Sequence, residues 1–184
     1  MLRLRPCERG DLDGIRKVCL ALATEEWKQS DSMRQFLQTA FCDYYIENEP
    51  ENAFVAEDEG RIVGYILCAK DFDAWVTTFN ADYASRPEMQ DFKAFVMGTI
   101  ENPSNFAKDY PAHLHIDILP EYQHAGLGTR LMNELTAHLR SIGVCGVMLE
   151  VAAENDNAVS FYLKQGFKPL KTGERSIVMG KALG

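Results

Sequence analysis

The chain has five cysteines, Cys7, Cys19, Cys42, Cys68 and Cys145, and no two of them form a C-x-x-C pair. An odd, scattered set argues against a disulfide framework and against a cysteine-based zinc site. Free thiols in a reducing compartment are the expectation. Basic clusters are missing too, since the longest is the pair Arg16 and Lys17 and the net charge is −8. Without a basic stripe, no nucleic-acid partner is expected. No apolar run approaches the ~20 residues that span a bilayer. The start, MLRLRPCERGDLDG, lacks a signal peptide's apolar core. The reading is a soluble cytoplasmic protein with no membrane partner.

What is present suffices for one sizeable core. The 184 residues are 46% hydrophobic, which fits a single domain over residues 1–184. MLRLRP reads as a short strand. Asp11 then caps a helix with Leu12, Ile15, Val18, Cys19 and Leu22 at helical spacing. A second helix is expected from about Ser32 to Ile46. NAFVAEDEGRIVGYILCA predicts a hairpin around Glu59-Gly60. Residues 70–111 keep no single period, although Phe92, Phe95, Val96 and Ile100 suggest helix near Met89 to Ile100. A stretch of that length is a substrate wall or lid, a structural elaboration, or an oligomer contact. AHLHIDIL then predicts a strand, GLGTRLMNELTAHLRSIG a helix, GVMLEVAA a buried strand, and NDNAVSFYLKQG a short helix before one or two last strands.

HLHIDILPEYQHAGLG, residues 113–128, supports two chemistries. His113, His115 and Asp117 alternate along a strand and share a face, a spacing found in metal-dependent hydrolases. Only His124 and His138 remain as further histidines, and no H-E-x-x-H is present, so no metal is expected. At the other end, QHAGLG delivers two glycines to a helix start. There, free backbone N–H groups and the helix dipole suit an anion, and glycine lets a diphosphate come close. An acidic protein can hold an anion through such aimed amides. The pattern is neither G-x-G-x-x-G nor a P-loop.

A second motif follows the strand LEVAA: Asn155, Ala158, Tyr162 and Gly166-Phe167, in the order N-x-x-A-x-x-x-Y-x-x-x-G-F. With Gln123, Gly126 and Gly128 matching Q-x-x-G-x-G, the chain resembles the GNAT superfamily of N-acetyltransferases. Within it, YPAHLHIDILPEYQ looks like the branch related to the acetyltransferase-like domain of O-GlcNAc hydrolases. The resemblance implies an α/β fold: a GNAT-like mixed, splayed β-sheet flanked by helices on both faces, with an inserted segment (about 70–111) between the third and fourth strands.

It also implies acetyl-CoA as co-substrate and a primary amine of a small molecule or peptide as acceptor, with a homodimer possible by analogy. The diphosphate cradle would be Gln123, His124, Ala125, Gly126, Leu127, Gly128 and Thr129. Main-chain groups of Ile118 and Leu119 would pair with the pantetheine arm. Asn155 would bond that arm or cap its own helix, and Phe161 would pack on the cofactor or in the core. Tyr162 matches the family's general acid. A lysine-like amine has a pKa near ~10.4, so only about one molecule in a thousand carries a free lone pair near neutrality, a deficit of roughly 4 kcal/mol. Asp117 or His115 is expected to accept that proton, with Glu150 a further candidate. No cysteine stands in a nucleophile motif, so direct attack is expected. The rival readings are a non-catalytic acyl-CoA-binding domain of the same fold and a hydrolase using the H-x-H-x-D stretch.

Overall fold

The structure, a computed structural model, describes residues 1–123 and 126–184. Among them, seven strands form one sheet: β1 (Arg3–Pro6), β2 (Phe54–Asp58), β3 (Arg61–Ala69), β4 (Ala112–Ile118), β5 (Gly146–Ala152), β6 (Lys168–Thr172) and β7 (Ser176–Ala182). Their spatial order is β1-β2-β3-β4-β5-β7-β6. Every neighbouring pair is antiparallel except β4 and β5, which run parallel. The β2–β3 hairpin closes as its sequence predicts, with Glu59 at φ +50° and Gly60 at φ +80°.

One break in the sheet creates the site. β4 and β5 pair only at Ala112↔Val147 and His113↔Met148. Beyond that point β4 stays with β3 as far as Ile118, while β5 stays with β7 as far as Ala152. The strands therefore splay, and among the described residues the outer half of β4 has an edge without a strand partner.

The two faces of the sheet carry different helices. One face packs α1 (Leu12–Leu22), α2 (Asp31–Gln38), α3 (Tyr44–Asn48), α4 (Phe72–Asp82) and α5 (Lys93–Ser104) over Val55, Tyr65, Leu67 and Met148. The other buries Leu127, Leu131, Leu135 and Leu139 of α6 (Leu127–Ser141) and Tyr162 of α7 (Asp156–Lys164) over Val63, Ile66, Leu114 and Leu149. Alternation along β3 and β4 sends successive side chains to opposite faces.

The helix expected over about Ser32–Ile46 is present as α2 and α3 joined by a π-helical turn, Thr39–Asp43. That turn buries Asp43, 2% exposed, where Arg16 grips it through two bonds of 2.9 and 2.8 Å. Arg86 lies 3.6 Å from the same carboxylate. The inserted segment is ordered around two helices. α5 corresponds to the expected helical patch, while α4, capped by Asp71, was hidden behind the lack of a continuous period. Among the described residues, no helix is long and apolar enough to cross a membrane.

Candidate active site

The glycine segment opens α6 as its residue types require. Gly126 has φ +74°, a left-handed conformation that glycine adopts without a Cβ penalty. The α6 ladder begins with Arg130 N–H donating to Gly126 C=O at 3.1 Å. The N–H groups of Leu127, Gly128 and Thr129 therefore precede any intrahelical partner, and the positive end of the helix dipole adds to them. Gly128 has a packing role as well, because a Cβ there would stand 3.1 Å from Phe161 Cζ. Gln123 donates from Nε2 to Ile118 C=O at 2.8 Å, tying the segment to β4. Thr129 Oγ1 accepts from Gln165 at 2.9 Å. His124 and Ala125, both expected in the cradle, lie outside the described residues.

These groups line a 630 Å³ groove that runs from Gly126, Gly128 and Thr129 to Ile116, Asp117, Ile118, Asn155, Phe161 and Tyr162. Lys164, which the motif did not indicate, adds a cation to its wall. Asn155 caps α7, its Oδ1 accepting from Ala158 N–H at 3.0 Å, and it also borders the groove. Phe161 does double duty in the same way, touching both core and groove.

Pairing geometry decides which part of β4 faces the gap. Leu119 N–H donates to Val63 C=O at 2.9 Å, and its own carbonyl accepts from Tyr122 N–H. In an antiparallel ladder the direction of the main-chain groups alternates. Asp117 and His115 thus point theirs at β3, whereas Ile116 and Ile118 point theirs at the splay. Ile116 is the residue that sequence reasoning missed, since only the observed register identifies it.

His113, His115 and Asp117 share the face that the strand period predicts, but their environments differ. His113, 7% exposed, meets Tyr45 Oη through Nε2 at 2.7 Å, and burial holds its pKa well below the usual value. His115 is pushed down to about 4 by burial, which keeps its imidazole neutral. Burial has the opposite sign for a carboxyl: Asp117 is pushed up to about 6, partly opposed by the Tyr65 hydroxyl that donates to it. Tyr65 had no sequence signal beyond its place on β3. Tyr162, 8% exposed, has its pKa raised by burial and then by the charge of Asp117, so it retains its proton near neutrality. Asp117 and Tyr162 border the same groove. Among the described residues, no three His, Cys, Asp or Glu side chains are grouped to hold a metal ion.

On the opposite face a 530 Å³ cavity reaches β4 at His113, Leu114 and His115. The inserted segment builds much of its wall, with Phe72, Trp75 and Phe79 from α4 and Phe95, Thr99 and Asn102 from α5. Phe41 of the π-helical turn and Glu150 of β5 complete it. Among the larger aromatic residues nearby, Trp75 lines this cavity. Trp27 instead stacks on Phe36, while Tyr44 and Tyr83 hydrogen-bond Glu49 and Glu47.

Comparison with known proteins gives a consistent set. Residues 17–167 match the model of the acetyltransferase (GNAT) family. N-alpha-acetyltransferase 30 of Schizosaccharomyces pombe is 25% identical over 124 residues, 67% of this chain and 62% of that protein. The chain thus spans less than two thirds of that curated relative. The crystal structure of SsHAT superposes with a TM-score of 0.83 at 25% identity, covering 100% of this chain and 98% of that one. PaiA N-acetyltransferase from Thermoplasma acidophilum, solved in complex with coenzyme A, shares the fold with a TM-score of 0.61 at 17% identity, over 99% of each chain.

Proposed function

The chain belongs to the acetyltransferase (GNAT) family, and on that premise we propose that it moves the acetyl group of acetyl-CoA to a primary amine of a small molecule or peptide. The observation that carries the reading is the splay. A groove on one face and a cavity on the other both reach the stretch of β4 that has lost its β5 partner. A thioester entering from the groove and an amine entering from the cavity meet there, which supports direct attack without a covalent acyl-enzyme.

Acetyl-CoA supplies the activated acyl group. Its diphosphate fits the free amides of Leu127, Gly128 and Thr129, with Lys164 as a nearby cation. Its pantetheine fits the main-chain edge at Ile116 and the Ile118 N–H, the Ile118 carbonyl being held by Gln123. Asp117 accepts the proton of the incoming ammonium. A carboxyl at about 6 is ionised near neutrality yet closer in basicity to the amine than an ordinary aspartate. His115, held neutral at about 4, is the weaker base and forms part of the acceptor wall. Tyr162 keeps its proton and offers it to the departing thiolate, where a hydrogen bond to a charged acceptor contributes about 1.5–3 kcal/mol.

The test is release of free thiol from acetyl-CoA by the purified protein across a panel of primary amines. Amine-dependent release supports the proposal. Calorimetric binding of acetyl-CoA without release on any amine favours the non-catalytic acyl-CoA-binding alternative.

A further inference from the structure

We propose that the acceptor is a monoamine with an aromatic or otherwise apolar body. Its chemistry rests on the acetyl-transfer reading; its binding does not. Phe41, Phe72, Trp75, Phe79 and Phe95 surround the 530 Å³ cavity, a size that suits a small molecule. Several of its polar side chains are already spent within the protein, while Trp75 Nε1 and His113 Nδ1 are buried without a partner. Thr99 Oγ1 donates to Val96 C=O at 2.8 Å. Ser176 Oγ and Asn102 Nδ2 both donate to Glu150, and Asn102 Oδ1 accepts from Lys171 at 2.7 Å. A peptide backbone brings an N–H and a C=O for each residue, more than these few unpartnered groups can match.

Charge points the same way. The chain carries −8, yet Glu150 is the one carboxylate on the wall among the described residues, and Arg175 lines the same wall. The reacting ammonium gives its proton to Asp117, which lines the groove and not this wall. A second ammonium, as in a diamine, would be desolvated with no unshared carboxylate to receive it. Ring faces alone replace lost hydration poorly.

Two positions on α5 make the inference testable without disturbing the core. Gly98 lies on the cavity wall, and a Cβ there meets nothing within 4 Å. Ala94 lines the cavity while remaining exposed. Gly98→Leu narrows the cavity and also improves helix propensity, so the fold is retained. Ala94→Glu supplies the missing counter-charge.

The experiment compares kcat/KM for 2-phenylethylamine, tryptamine, 1,4-diaminobutane, spermidine and a tetrapeptide with a free N-terminus. In parallel, calorimetry measures binding of each amine to the protein saturated with coenzyme A. The expected result is a preference of at least a hundredfold for the aromatic monoamines. Gly98→Leu should weaken tryptamine tenfold or more, and Ala94→Glu should raise kcat/KM for diaminobutane about tenfold. Acetylation of the diamine, spermidine or the peptide within tenfold of the aromatic amines overturns the inference while leaving acetyl transfer intact. If no amine is acetylated, the acetyl-transfer reading fails, but tryptamine binding that Gly98→Leu abolishes still supports the ligand class. Absence of aromatic-amine binding overturns it.

Discussion

Replacing Asp117 by asparagine should make the protein more stable and much less active. The carboxyl is half-buried on the groove wall, and its pKa lies at about 6 instead of the ordinary 3.8. At about 1.4 kcal/mol for each pKa unit, the folded state gives up about 3 kcal/mol to keep this group ionised near neutrality. Asparagine has the same shape, carries no charge, and presents a carbonyl oxygen to the Tyr65 hydroxyl. For a chain of 184 residues the gain corresponds to a melting temperature higher by at most about 6–12 °C. The sign with pH is fixed by which state binds the proton more tightly. The folded pKa is raised, so the cost is complete above about 6, shrinks as pH falls, and vanishes below the unfolded value near 3.8. Melts of parent and Asp117→Asn at pH 7.5, 5.5 and 3.5 should therefore show a gap that closes with acid. Loss of a general base should lower turnover about 10²–10⁴-fold. An Asp117→Asn protein that melts below the parent, keeps the same gap at every pH, or turns over normally refutes the reasoning.

Other outcomes follow from the same geometry. The acid limb of kcat/KM should rise through about pH 6 in the parent, as Asp117 loses its proton, and should disappear in Asp117→Asn. Tyr162→Phe removes the proton donor without emptying its space; turnover should fall at least tenfold, while the acetyl-CoA dissociation constant stays within about twofold. Gly128→Val should push Phe161 aside and block the approach of a diphosphate, so coenzyme A affinity measured by calorimetry should drop at least tenfold. Arg16→Ala strips Asp43 of its two-bond partner and should cost about 3–5 kcal/mol in urea unfolding, less to the extent that Arg86 moves in.

The sequence made some of this legible for clear reasons. Local chemistry announced the Glu59-Gly60 hairpin, because that turn needs two residues at positive φ. The start of α6 was equally readable, because Gly126 and Gly128 answer to a conformation and a close approach. A period of two placed His113, His115 and Asp117 on one face. What stayed hidden depends on tertiary partners. Nothing within β4 or β5 says that their pairing ends at His113↔Met148, and that event decides that Ile116 and Ile118 face the gap. Likewise, only packing distinguishes His115, driven down by burial, from Asp117, driven up by the same burial two residues later. Phe72, Trp75 and Phe79 do recur at helical spacing, but the turns after Asp82 interrupt the pattern and obscured α4.

The splay between β4 and β5 is the feature on which the account turns, and a crystal structure of the protein grown with coenzyme A examines it directly. The diphosphate should lie within hydrogen-bond distance of the main-chain N–H groups at the start of α6, the pantetheine along Ile116 and Ile118, and the sulfur beside the Tyr162 hydroxyl. Coenzyme A bound elsewhere on the molecule, with β4 and β5 closed against each other along their length, would contradict it.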